Sequence, residues 1–237
     1  RLAEMDKEGK DFEDLDAREL NELGNAYSAR GMWEEAIESY LRSMALRKSS
    51  GDLRGQGIVL NNLGAVYYCQ GRVQEALECY EASRQIAHEL GEGLSELIAL
   101  MNLAFHGFTA GRHDQFLQRA DEAETLALRL GRWESMCKLR WLRGRMALGD
   151  PERYQEGLKL YAEALSYASR DGESELHEML VRVDAQAQRL ASEGARGLAL
   201  VFYDYLQAFA RDQGFGQSAL SHLTQKREEI LHKPSLP

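Results

Sequence analysis

Two stretches forty residues apart read almost alike. Leu20-Asn-Glu-Leu-Gly-Asn-Ala-Tyr27 and Leu60-Asn-Asn-Leu-Gly-Ala-Val-Tyr67 share Leu, Asn, Leu, Gly and Tyr, and Gly31, Glu35-Ala36, Tyr40 and Ser43 return as Gly71, Glu75-Ala76, Tyr80 and Ser83. A third copy begins at Leu100, with Leu103-Ala104 in the Leu-Gly place, Gly111 at the turn, and Ala120 and Ala123 downstream. A fixed period of this length means that each unit stacks on its neighbours to bury a core it cannot bury alone. Glycines 31, 71 and 111 close one set of periodic apolar segments and glycines 51, 91 and 131 the other. Each period is therefore two helices with tight connections. Of three prolines only Pro151 precedes the last four residues, and nothing else interrupts the run of helices.

Later copies drift. Leu139, Leu142 and Met146 carry a fourth first helix and Tyr161, Ala164 and Ala168 its partner, joined by the longer connection Gly149-Asp-Pro-Glu-Arg-Tyr-Gln. A fifth pair follows, with Leu176, Met179, Leu180, Val183 and Ala187 inward on one helix and Leu198, Val201, Tyr205 and Ala208 on the next. Residues 217–232 form an amphipathic helix with Leu220, Leu223, Ile230 and Leu231 inward and Gln225-Lys-Arg-Glu-Glu outward, as expected of a cap. The expected organisation is an acidic segment 1–16, repeats 17–52, 53–92, 93–132, 133–172 and 173–214, a capping helix 215–232 and a tail 233–237.

The pattern Leu-x-x-Leu-Gly-x-x-Tyr followed by Ala-x-x-x-Tyr resembles the tetratricopeptide repeat (TPR) family. That resemblance implies an all-α fold, a right-handed α-solenoid of about five helix pairs with a C-terminal cap. The sequence departs from the family's repeat of about 34 residues with Trp first and Pro last. Its period is 40, Leu20 and Leu60 stand for Trp, and Lys48 and His88 stand for Pro. Lengthened repeats of this kind are similar to those of LGN-type adaptors and of bacterial MalT-like and Rap-like regulators.

At about 100° per residue, Leu60, Leu63, Gly64 and Tyr67 share one side of their helix, and Ile58, Asn61, Ala65, Tyr68 and Cys69 lie opposite. The family resemblance makes the first helices line a concave groove. The groove positions are then Arg18, Asn21, Asn25, Ser28 and Ala29 in the first repeat and Ile98, Met101, Phe105, Phe108 and Thr109 in the third. All five asparagines, Asn21, Asn25, Asn61, Asn62 and Asn102, fall in these three helices. An amide both donates and accepts, so Asn21, Asn25 and Asn61 could clasp the backbone of a peptide; hydrogen bonds between repeats or to water are the competing reading. Asn62 lies on the other flank from Asn61 and suits bonding between repeats. Tyr68, Phe105 and Phe108 could supply apolar pockets beside the amides, or be buried by the lengthened helices or an adjacent repeat, Phe105 above all.

Lys138-Leu-Arg140-Trp141-Leu-Arg143-Gly-Arg145 puts four cations and an indole on the fourth first helix. Arg140, Trp141 and Arg145 could meet a carboxylate-bearing partner; pairing with Glu on adjacent helices is the alternative. The net charge of −9 argues against sequence-independent nucleic-acid binding, and residues 1–22 carry nine acids against four bases. No apolar run reaches the roughly 20 residues of a membrane span, and no signal peptide precedes the first repeat. Three cysteines without paired spacing suggest a reducing, cytoplasmic setting, and a start on Arg1 suggests a piece of a longer chain. Phosphate-loop, His-Glu-x-x-His and Gly-x-Ser-x-Gly motifs are missing, and His106 and His113 lack a third ligand, so no catalytic residue, metal or cofactor is expected. The expected role is a scaffold or regulatory module binding a protein or peptide segment, as part of a larger bacterial signalling or transcription-regulating protein. Self-association into a homo-oligomer and small-ligand sensing are the alternatives.

Overall fold

The computed structural model describes residues 15–232. The acidic segment expected at 1–16 lies outside them except for Leu15 and Asp16, as does the tail 233–237. The described residues are all-α, with eleven helices: α1 (Ala17–Ser28), α2 (Trp33–Ser50), α3 (Leu53–Cys69), α4 (Val73–Glu89), α5 (Gly93–Thr109), α6 (His113–Leu130), α7 (Trp133–Leu148), α8 (Tyr154–Asp171), α9 (Glu173–Ser192), α10 (Arg196–Asp212) and α11 (Gln217–His232). A 3₁₀ turn, Pro151–Arg153, fills the long α7–α8 connection. Asp16 starts α1 with a capping box. It accepts from the Arg18 amide at 2.7 Å and the Glu19 amide at 2.8 Å, while Glu19 reaches back to the Asp16 amide at 3.0 Å. The turns after α1, α3 and α5 pass through Gly31, Gly71 and Gly111 at φ of 74°, 76° and 68°. A side chain in that region is strained.

The chain divides into two compact units, one through Leu126 and one from Ala127. In the first, the repeated Gly and Tyr form a lock. The Tyr40 ring lies on Gly24 and the Tyr80 ring on Gly64, so that a β-carbon on Gly64 would stand 2.8 Å from Tyr80 Cε1. Both tyrosines are buried. The third repeat has two small residues, Ala104 and Ala120, in the two places, and both are fully buried. Ser43 and Ser83 recur for a related reason. Each buried hydroxyl donates to a carbonyl of the preceding helix, of Ala17 and of Gly57. Cys79 packs half-buried against the second-repeat core, and burial pushes its thiol up to about 11. The thiol therefore stays protonated and inert.

The second unit repeats the lock once, with Tyr161 on Gly144 at 2.6 Å from the position of a β-carbon. Its core joins Tyr161 and Phe202 edge to face at 4.9 Å, with Leu165, Met179, Val183 and Leu206 around them. On α10 the buried stripe is Ala199, Phe202, Tyr203, Leu206 and Ala210, one position away from the expected Leu198, Val201, Tyr205 and Ala208. Leu198 and Val201 are 43% and 45% exposed. The helix carries two adjacent apolar stripes, and the one with the larger aromatic pair takes the interior. Helix α11 lies against α9 and α10 through Ala219, Leu223 and Ile230, whereas Leu231 is exposed. Arg227, read as outward, turns back to Asp204 on α10 at 2.6 Å.

Where the glycine of the lock would recur, α9 has Asp184. It accepts from the Tyr203 hydroxyl at 2.8 Å and meets His222 Nε2 of α11 at 2.8 Å, tying three helices through one buried carboxylate.

Candidate functional site

First helices of successive repeats are joined by side chains 41 residues apart. Asn62 Nδ2 donates to Asn21 Oδ1 at 3.1 Å, and Asn102 Nδ2 donates to Asn61 Oδ1 at 2.8 Å. Asn62 also reaches Asn25 Oδ1 at 3.2 Å, an oxygen that takes the Tyr40 hydroxyl at 2.7 Å as well. In the second unit the same separation brings Arg182 over the Trp141 ring, 5.2 Å from its centroid. Thus Asn21, Asn25, Asn61 and Asn62 all form rungs between repeats. Asn21 is buried, while Asn61 and Asn62 keep half-exposed amides. One amide group on each is unspent among the described residues: Asn61 Nδ2 and Asn62 Oδ1.

Asn61 and Asn62 are among the residues that line a notch of about 140 Å³ between α3, α4 and α5. Its apolar walls are Ile58, Ile86, Leu90 and Ile98, with Gly57 leaving a gap between them. At the rim Arg54 is paired with Glu92 at 2.8 Å, so the notch carries no unbalanced charge. Ile58 and Ile98 are 45% and 46% exposed beside it. Gly57 is a helix-interior glycine that costs about 0.5–1 kcal/mol relative to alanine. Its backbone does not require it: a β-carbon there would come no nearer than 3.4 Å to Ile86 Cγ2, with Ile86 Cβ at 3.8 Å and the Ser83 carbonyl oxygen at 3.9 Å.

Further along the same face, Phe105 is 40% exposed rather than buried by its neighbours. Met101 is half-buried, and Phe108 packs on Phe116 edge to face at 5.4 Å. Tyr68 lies on His106, ring centroids 3.7 Å apart, and its hydroxyl donates to Thr109 Oγ1 at 3.2 Å. His106, buried between Tyr68 and Tyr80, has its Nε2 at 3.3 Å from the Tyr80 hydroxyl. Burial lowers its pKa to about 4 from an ordinary 6.5, because a charged ring would lose its hydration there. The native state therefore refuses a proton that the unfolded chain accepts. This contribution to stability is complete above about pH 6.5 and is lost as pH falls toward 4. Urea titrations across that window should show a shallower loss in His106→Gln than in the wild type; parallel slopes would remove His106 as the cause.

The basic run of the second unit is largely compensated. Lys138 pairs with Glu134, one turn earlier, and Arg140 pairs with Glu163 of α8 at 3.4 Å. Arg145 lies over the Trp141 ring as well, 5.1 Å from the centroid, and Arg182 itself pairs with Glu178. Trp141 and Arg145 thus sit in a set of paired charges. Sequence reading passed over Gly57, Ile86 and Leu90; the one clue was a glycine inside a helix with no turn to make.

The geometry defines a helix-hairpin repeat protein of the α-solenoid class. Residues 16–87 and, overlapping them, 55–129 match the family profile described as tetratricopeptide repeat, so the first half of the chain is similar to the repeats of that family. Two solved structures of a Podosopora anserina kinesin light chain protein with nearly identical TPR-like repeats, the second a single-substitution variant, superpose with a TM-score of 0.60 at 19% identity. Each covers 84% of this chain, over 97% and 96% of their own length. At that identity the likeness establishes the fold alone. No curated protein matches the chain. Among the described residues, no helix is long and apolar enough to cross a membrane.

Proposed function

We propose that the chain is a protein-binding module whose first-helix face in the first unit holds a segment of a partner protein, within a larger regulatory protein. The observation that carries this reading is the exposed apolar set Ile58, Ile98 and Phe105 beside unspent amides of Asn61 and Asn62, on a face that packing leaves open. Large side chains left partly in water next to unpaired donors and acceptors mark a binding groove. Arg140, Trp141 and Arg145 form a weaker candidate, because nearby glutamates balance the run.

Peptides selected from a random display library on the full chain, then measured in solution, provide the test. Ile98→Asp and Phe105→Ala alter exposed side chains and should leave the fold intact while weakening the selected peptides by about tenfold or more, roughly 1.4 kcal/mol. Peptides that bind both variants as tightly as the wild type would place binding elsewhere.

A further inference from the structure

We propose that α10 pairs antiparallel with α10 of a second copy of this chain, through the stripe Leu198, Val201, Tyr205 and Ala208. The pairing is independent of the first-helix face and of whatever binds there. It shows when the second helices are aligned on the residue at the tyrosine place of the lock: Tyr40, Tyr80, Ala120, Tyr161 and Tyr203. Two positions before it stand Glu38, Glu78, Gln118 and Lys159, and five before it Glu35, Glu75, Gln115 and Glu156. On α10 these two places hold Val201 and Leu198, both exposed. Tyr205, half-buried, and Ala208, exposed, continue the same side of the helix for two more turns. Four second helices thus offer water polar side chains where the fifth offers an apolar stripe, and no packing within the unit uses it.

The stripe is complementary to itself. Leu198 and Ala208 lie equally far from residue 203, and so do Val201 and Tyr205. A two-fold antiparallel pairing centred there sets Leu198 over Ala208 of the partner subunit and Val201 against Tyr205 of the partner subunit, a large side chain facing a smaller one each time.

Charge selects the same occupant. The helix starts at Ala195 without a side-chain cap, which leaves the positive end of its dipole open. Its other end carries Asp212, exposed on the side of the stripe, with a hydrogen bond from Gln213 Nε2 at 3.1 Å. Arg211 beside it is turned to Gln207 at 3.5 Å. An acid at the C-terminal end of its own helix is unfavourable. In the antiparallel pair each Asp212 comes level with residues 194–195 of the other copy, at the uncapped N-terminus, so both ends of the contact are balanced. The middle stays uncharged, because Asp204 at its edge is held by Arg227 at 2.6 Å.

One helical stripe offers less than the roughly 800 Å² per partner of a standard interface, so the dimer is weak, with a dissociation constant on the order of 10–100 μM. Sedimentation equilibrium of the full chain across and beyond that range should show monomer and dimer exchanging. Val201→Glu installs the side chain that α2 and α4 carry at this place. It should keep the melting temperature and weaken association by about tenfold or more. Asp212→Lys should weaken it by about threefold or more, whereas Ile98→Asp on α5 should leave it unchanged. Antiparallel order is read by cross-linking in a Cys69→Ser background, which removes the exposed native thiol. Leu198→Cys and Ala208→Cys chains should form a disulfide when mixed and little when alone, because like positions then lie about 15 Å apart along the helix. A chain monomeric throughout would overturn the proposal, as would a Val201→Glu or Asp212→Lys chain that dimerises as tightly as the wild type, or cross-links that form as readily within each variant as between the two. A monomeric chain whose library-selected peptides are lost in Val201→Glu would give the stripe to a partner helix in place of a second copy.

Discussion

Alanine at Gly64 is expected to destabilise the first unit by about 1–3 kcal/mol, the usual cost of forcing an extra carbon into a packed core. The new β-carbon would stand 2.8 Å from Tyr80 Cε1 and 3.0 Å from two further ring atoms. The ring cannot retreat easily, since it is buried between α3 and α5 with its hydroxyl against His106. The third repeat indicates how the clash can be relieved: the corresponding residues there are Ala104 and Ala120, both fully buried. In a double-mutant cycle, Gly64→Ala should cost much less in a Tyr80→Ala background than in the wild type, although Tyr80→Ala itself leaves a cavity. Chemical denaturation of the four proteins checks this, and additive effects would mean that glycine at 64 serves something other than the ring. At Gly57 the β-carbon has room, and the same substitution should be stabilising by about 0.5–1 kcal/mol.

That contrast explains which parts of the molecule could be read in advance. The forty-residue period was legible because the residues that make it visible are partners across a helix pair: a glycine keeps its place as long as a tyrosine ring lies on it, and a serine as long as a carbonyl waits opposite. Where the glycine is replaced, by Ala104 with Ala120 at the tyrosine's place or by Asp184 bonded to the Tyr203 hydroxyl, the pattern fades. The orientation of α10 was not legible, because Leu198/Val201 and Phe202/Tyr203 offer two apolar stripes and only the shape of the neighbouring helices chooses between them. Two of the three asparagine pairs depended on a step of 41, one residue more than the period, and the third on a step of 37, which no single repeat displays. Half of the charge compensation around Trp141 was local, Glu134 standing four residues before Lys138, whereas Glu163 comes from the next helix. The notch was hidden because its walls come from three helices and its defining residue has no side chain.

Removing the carboxylate of Asp184 should loosen the C-terminal helix more than any surface change. Asp184 is buried, and its two oxygens serve Tyr203 of α10 and His222 of α11. Asp184→Ala strands the buried Tyr203 hydroxyl and leaves His222 without its link to α9, so a loss of about 2–3 kcal/mol is expected, each orphaned buried group costing on the order of 1–3 kcal/mol. Asp184→Asn keeps an oxygen for Tyr203 and a polar group facing His222, and should lose no more than about 1 kcal/mol. The two variants differ in where the loss is felt. Hydrogen exchange should rise first across Gln217–His232, because α11 has only one helix pair beneath it and no repeat beyond it among the described residues to restore the contacts. The seats of Leu223 and Ile230 on α9 and α10 would then open without unfolding the first unit, a separate compact body. If exchange in α11 stays at the wild-type rate in Asp184→Ala, the helix is held by its apolar contacts and the Arg227–Asp204 pair alone, and the aspartate at the glycine place does not fasten the end of the array.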